Sequence, residues 1–155
     1  MELFRTWNTD VALSHLVALA VAYVLALPIG WNRERKERSA GLRTFPLVAM
    51  AACGFVMIAT EVLGADSQQH SRILEGLMTG MGFVGGGAIL KQGDRTRGTA
   101  TAASLWATGA IGAAVGYGQL DIAVILSLVT VLTLVLMTPL RKVVQDRAEL
   151  DEDDV

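Results

Sequence analysis

The stretch GLMTGMGFVGGGAILKQGDRTRGTATAASLWATGAIGAAVGYG, residues 76–118, decides how this chain folds. It holds twelve of the sixteen glycines. Two apolar, glycine- and alanine-rich segments, 73–90 and 99–117, flank the short charged turn KQGDRTRG. In a soluble helix each interior glycine costs about 0.5–1 kcal/mol against alanine. A chain that accepts so many has a use for backbones that lie very close together. A bilayer supplies that use, because helices there associate by packing small residues rather than by hiding from water. Gly76/Gly80, Gly82/Gly86 and Gly112/Gly116 are each four apart, which places each pair on one helix face. Gly80, Gly82, Gly85, Gly86, Gly87, Gly112 and Gly116 are therefore the expected helix-packing motif. Ala100, Ala103, Ala107, Ala110 and Ala114 make a second small stripe. Gly80-Met-Gly82-Phe-Val-Gly85 also fits the dinucleotide fingerprint G-x-G-x-x-G. That fingerprint needs a strand before it and an acidic residue about 20 positions on. The run here is apolar on both sides, and no carboxylate lies near position 105.

Composition agrees with a membrane protein. The chain has 155 residues, 52% of them hydrophobic, and a mean hydropathy of +0.46. Spanning about 30 Å of hydrocarbon takes about 20 helical residues. Runs of that length occur at 11–29, 45–63, 73–90, 99–117 and 120–138. The first is not expected to be a cleaved signal, since Glu2, Arg5 and Asp10 give its leader a net negative charge and bases follow it. Pro28 is expected to kink or stop that helix, and Pro139 to close the fifth. Thr44 is the expected N-cap of the second, with Pro46 in its first turn. The fourth run is rich in Ala, Thr, Gly and Ser, which suits a central helix. The tail, 141–155, is short, charged and expected to fray. The lone cysteine, Cys53, excludes a disulfide framework.

Charge sets an orientation. Lys and Arg total 13 against 15 Asp and Glu. The first loop carries Arg33, Arg35, Lys36, Arg38 and Arg43, and the third carries Lys91, Arg95 and Arg97. With Arg141, Lys142 and Arg147 of the tail these make eleven bases, leaving Arg5 and Arg72 on the other side. Cytoplasmic loops carry the excess of Lys and Arg. The expectation is an all-α bundle of five transmembrane helices, N-terminus outside and C-terminus cytoplasmic. Residues 1–140 form the membrane domain.

These residues resemble the MgtC/SapB family of bacterial inner-membrane proteins. Residues 30–44 resemble its G-x-E-R, basic stretch and A-G-L-R-T, matching at Arg33, Ala40, Gly41, Leu42, Arg43 and Thr44. Asn32 stands where the commoner pattern has Glu. Residues 80–90 resemble G-I-G-F-L-G-A-G-V-I. Residues 98–116 resemble G-L-T-T-A-A-S-L-W and a small-residue helix, matching at Thr101, Ala102, Ala103, Ser104, Leu105 and Trp106. Arg72 matches an Arg eight residues before the glycine motif. The resemblance covers the membrane part only; the soluble C-terminal domain that relatives often carry is expected to be absent. It implies an inner-membrane, multi-pass protein linked to growth in low magnesium, to survival of pathogens within host cells, and to membrane energetics, including the proton-driven ATP synthase as a partner complex.

No Ser/His/Asp set, P-loop, HExxH or Cys/His cluster is present, so neither an enzyme, a cofactor nor a nucleic-acid partner is expected. His15 and His70 have no partner near in sequence. Glu61, Asp66, Arg72 and Glu75 gather near the outer face. Either the carboxylates hold Mg²⁺, or they snorkel or pair with Arg72. On the cytoplasmic face the second and fourth helices start at Thr44 and Thr99, expected at one membrane depth. Helix N-termini beside arginines make an anion site. Its candidates are Asn32, Arg33, Glu34, Arg43, Thr44, Arg97 and Thr99, with Arg43 foremost; the other reading of this cluster is positive-inside bias on anionic lipid. The sequence thus points to a regulatory or accessory protein of ion or proton handling, a homo-oligomer or part of a larger complex. The alternative is a small cation or metabolite transporter or channel.

Overall fold

The computed structural model describes residues 8–36, 40–64, 67–92 and 95–153, of which 92, 95 and 138–153 by backbone alone. Among them the chain forms five α-helices and one hairpin: α1 Thr9–Lys36, α2 Thr44–Leu63, α3 His70–Gly87, β1 Leu90–Gln92, β2 Arg95–Arg97, α4 Thr99–Gly116 and α5 Leu120–Asp153. Each apolar run of the sequence lies on one of these helices.

α4 sits in the centre and packs on the other four helices. Its composition explains this. A helix apolar all round is a buried one, and α4 presents small groups on every side. Thr101, Ser104, Leu105, Thr108, Ile111 and Gly112 are buried. Of the alanine stripe, Ala114 is buried, whereas Ala103 and Ala110 face outward, so the stripe is not one packing face. The central hydroxyls are satisfied within their own helix. Ser104 Oγ donates to the Ala100 carbonyl at 2.6 Å and Thr108 Oγ1 to that of Ser104 at 2.8 Å. Such back-bonding lets Ser and Thr sit in an apolar interior.

The closest helix contact is between α2 and α4. A Cβ added at Gly112 would run into the Ala49 carbonyl, with the carbonyl carbon at 2.8 Å. One added at Gly116 would lie 2.8 Å from the Cys53 oxygen and 2.8 Å from Val56 Cβ. Both contacts have the same offset in sequence, so α2 and α4 run parallel. α3 runs antiparallel to α4, since Gly85 meets Ala102 and Gly109 meets Met81. By contrast, a Cβ at Gly76, Gly80, Gly82, Gly86 or Gly87 would meet nothing within 4 Å. The expectation that Gly80, Gly82, Gly86 and Gly87 pack helices together within the chain is corrected. α3 lies at the edge of the bundle, and of its glycines only Gly85 faces inward.

Four boundaries differ from the sequence reading. α1 continues through Pro28 to Lys36, and α5 through Pro139 to Asp153. A helix that loses one hydrogen bond at proline can resume where good helix formers follow, as Arg, Lys and Glu do in both segments. Thr44 is not the N-cap: that position is Arg43, with no side-chain cap, and the Phe45 N–H already bonds Gly41. The charged turn is a hairpin in which Leu90 pairs with Arg97. Gly98 ends it at φ 88°, where a Cβ would strike the Ala88 carbonyl.

A hydrogen bond from Ser127 Oγ to the Leu25 carbonyl at 2.7 Å ties α5 to α1. Ser127→Ala is expected to lower stability by about 0.5–1.5 kcal/mol, read as a small fall in melting temperature in detergent. A loss as large as that of a core cavity mutant would show that more than this bond depends on the hydroxyl.

Candidate functional site

The basic end of the bundle is built by α1, the loop before α2, and the start of α4. Gly30 lets α1 touch that loop: a Cβ there would lie 3.1 Å from the Gly41 oxygen and 3.3 Å from Phe45 Cβ. One turn further, the Glu34 side chain folds over Gly41, leaving no room for a Cβ, and accepts the Leu42 N–H at 3.1 Å. Glu34 thus holds the A-G-L-R loop against α1. Arg33 is only 4% exposed, and its Nη2 donates to Asn32 Oδ1 at 2.8 Å. Arg35 lies 5.3 Å from the centre of the Trp31 ring, a cation–π arrangement at the bundle's rim.

The structure redistributes the anion-site candidates. Asn32, Arg33 and Glu34 come together with the loop that carries Arg43. Arg43, Arg97 and Thr99 are exposed and Thr44 is half-buried. The two helix starts are not at one depth. Ala49 opposes Gly112 and Cys53 opposes Gly116, so Thr44 stands level with Ala107. α4 therefore begins eight residues, about 12 Å, beyond the start of α2. Among the described residues the buried arginine is Arg33, and not Arg43. Arg38 lies outside the described residues.

At the opposite end Glu61, Arg72 and Glu75 are exposed, and Asp66 lies outside the described residues. Among the described residues no three His, Cys, Asp or Glu side chains gather to hold a metal. What the sequence did not reveal is a clamp at His70. Its Nδ1 is 3.1 Å from Tyr117 Oη and its Nε2 is 2.8 Å from the Gly64 carbonyl. One imidazole thereby joins the start of α3 to the ends of α2 and α4. Tyr117 is 47 residues from His70 and carried no local signal, whereas Gly64 is only six residues away and was overlooked.

Three helices, Thr9–Lys36, Thr44–Leu63 and the segment Leu120–Met137 of α5, are long and apolar enough to cross a membrane. The distribution of side chains says the same. Alanine, glycine, serine and threonine fill much of the interior, while Leu16, Val24, Phe55, Ile58 and Leu128 point outward and Phe83 is 86% exposed. Water would not tolerate so large an apolar surface; lipid would. The fold therefore defines a helical integral-membrane protein.

The chain belongs to the MgtC family, whose family model matches residues 19–143. It is 38% identical to Protein SrpB of Synechococcus elongatus over 128 residues, 75% of this chain and 70% of that protein. It is 37% identical to Protein MgtC of Brucella abortus over 137 residues, 88% of this chain and 57% of that protein. A third relative, 34% identical over 125 residues (77% of this chain, 58% of that protein), carries the name "Putative magnesium transporter YhiD" in Escherichia coli. The chain thus spans little more than half the length of several curated relatives it matches. No solved structure matches it.

Proposed function

We propose that this chain is a multi-pass protein of the bacterial inner membrane with five spans, non-enzymatic and regulatory or accessory. In this reading it supports growth when magnesium is scarce by acting on membrane ion or proton handling, as a homo-oligomer or bound to a larger complex such as the ATP synthase. The observation that carries the reading is the filled centre of the bundle. α4 meets the α2 backbone directly at Gly112 and Gly116, so the axis where a single-chain pore would run is occupied by packed protein. A protein built this way works through its surfaces. The second reading, a small cation or metabolite transporter, draws on the name of the Escherichia coli relative.

The purified chain in liposomes separates the two. No magnesium or proton flux in liposomes, together with copurification of another membrane complex from native membranes, is the expected result. Flux without any partner would replace this reading with the transporter. The orientation has its own measurement. In a Cys53→Ser background, cysteine at Gln68 is expected to be labelled from outside, and cysteine at Arg38 or Lys91 only after permeabilisation. The reverse pattern would overturn the topology.

A further inference from the structure

α3 is the edge helix whose composition does not suit lipid. Like α4 it has 18 residues, and neither is apolar enough to stand among the three helices fit to cross a membrane. For α4 the reason is its place, since neighbours bury it. α3 has no such cover. Its side away from α4 carries Arg72, Glu75, Thr79, Gly82 and Gly86, all exposed. At about 100° per residue these five fall within a sector of about 80°. Their alternate spacing of three and four is that of a heptad seam, along which one helix packs on another. Met81 and Gly85, which meet α4, point elsewhere. Glu75 stands about 8 Å along α3 from its first residue. An ionisable group at such a place in a membrane helix ordinarily faces protein and a charge partner. Among the described residues neither Glu75 nor Arg72 has an ion-pair partner.

We propose that this seam pairs with the same seam of a second copy, the two α3 helices running side by side about a twofold axis along the membrane normal. The inference deepens the homo-oligomer reading and rests on it, and on α3 crossing the bilayer. Charge complementarity selects the occupant. A twofold interface makes every contact twice, so Arg72 of each copy meets Glu75 of the other, and the four charges alternate in sign around the axis. The seam then carries no net charge, and a setting of low dielectric strengthens each pair. Shape agrees further along α3. A Cβ at Gly82 or Gly86 would meet nothing within 4 Å, and Phe83, 86% exposed, stands beside them. In the pair, Phe83 of each copy covers the glycines of the other. Lipid tails on this face would leave Glu75 without a counter-charge.

The test is disulfide cross-linking of the full chain in bacterial membranes. In a Cys53→Ser background, Thr79→Cys is expected to give a linked dimer on oxidation with copper phenanthroline. Leu128→Cys, exposed on α5, controls for random collision. Adding Arg72→Glu or Glu75→Arg should lower the yield of the Thr79→Cys dimer about tenfold or more, since each leaves buried like charges. The two substitutions in one chain should restore it. So should coexpression of the two single variants, whose charges complement each other. A purely local role for either residue predicts neither rescue. No dimer at Thr79→Cys, a yield no higher than at Leu128→Cys, an adduct with a different protein, or single variants that link fully would overturn the proposal. So would failure of both rescues at normal protein level. Native mass spectrometry of the wild type separates the two readings. A dimer without the Thr79→Cys link moves the interface elsewhere and keeps the homo-oligomer; a monomer alone removes both.

Discussion

Gly112→Leu is expected to prevent this chain from accumulating as a folded protein. The contact it disturbs is with main chain: the Ala49 carbonyl occupies the space a Cβ would need, and the next turn of α4 is locked in the same way at Gly116. A flexible side chain could swing aside, but a helix backbone moves only by separating α2 from α4 along their length. Overpacking a well-filled interior commonly costs about 1–3 kcal/mol, and a clash with backbone belongs at or above the top of that range. Gly82→Leu is the control, since its Cβ would meet nothing within 4 Å, and the monomer should melt as the wild type does. Yield of monodisperse protein and melting temperature in detergent decide the matter. A Gly112→Leu protein of normal yield and stability would show that the two helices are not held at this distance.

The second large effect concerns Arg33. It is 4% exposed, whereas Arg43, in the same motif, is exposed. Arg33→Ala removes both the packing of a buried stem and the hydrogen bond to Asn32, and a loss of about 1–3 kcal/mol is expected. Arg43→Ala should stay within about 0.5 kcal/mol, as surface substitutions do. Arg33→Lys should not restore the wild type, because the planar fork is lost although the charge remains. The measurements are melting temperature and complementation of growth at low magnesium, with protein level followed in parallel. A silent Arg33→Ala beside a damaging Arg43→Ala would return the site to the exposed arginine.

How much of this was legible in the chain depends on the range of the signal. Runs of apolar residues locate helices because the bilayer imposes a length, and five such runs correspond to the five helices. The G-W-N-R-E and A-G-L-R-T segments could be read as a functional neighbourhood, and Gly30, Glu34 and Gly41 do meet there. Proline misled at Pro139, which does not close the fifth helix, and at Pro28 the stop, one of the two outcomes expected there, does not occur. Its local cost is real, but it was outweighed by the helix formers on either side.

The amino-acid sequence by itself determined the class of the protein, the number of its helices and the small-residue character of α4. Those properties depend on composition and period, which are local. Only the tertiary structure decided which glycines carry the packing, because a glycine matters through what stands opposite it. Gly112 faces the main chain of α2, whereas Gly82, with the same chemistry and a similar apolar setting, faces open space. The same holds for the arginines. Arg33 and Arg43 carry the same charge in one motif, but the packed chain leaves Arg33 4% exposed and Arg43 exposed at the rim.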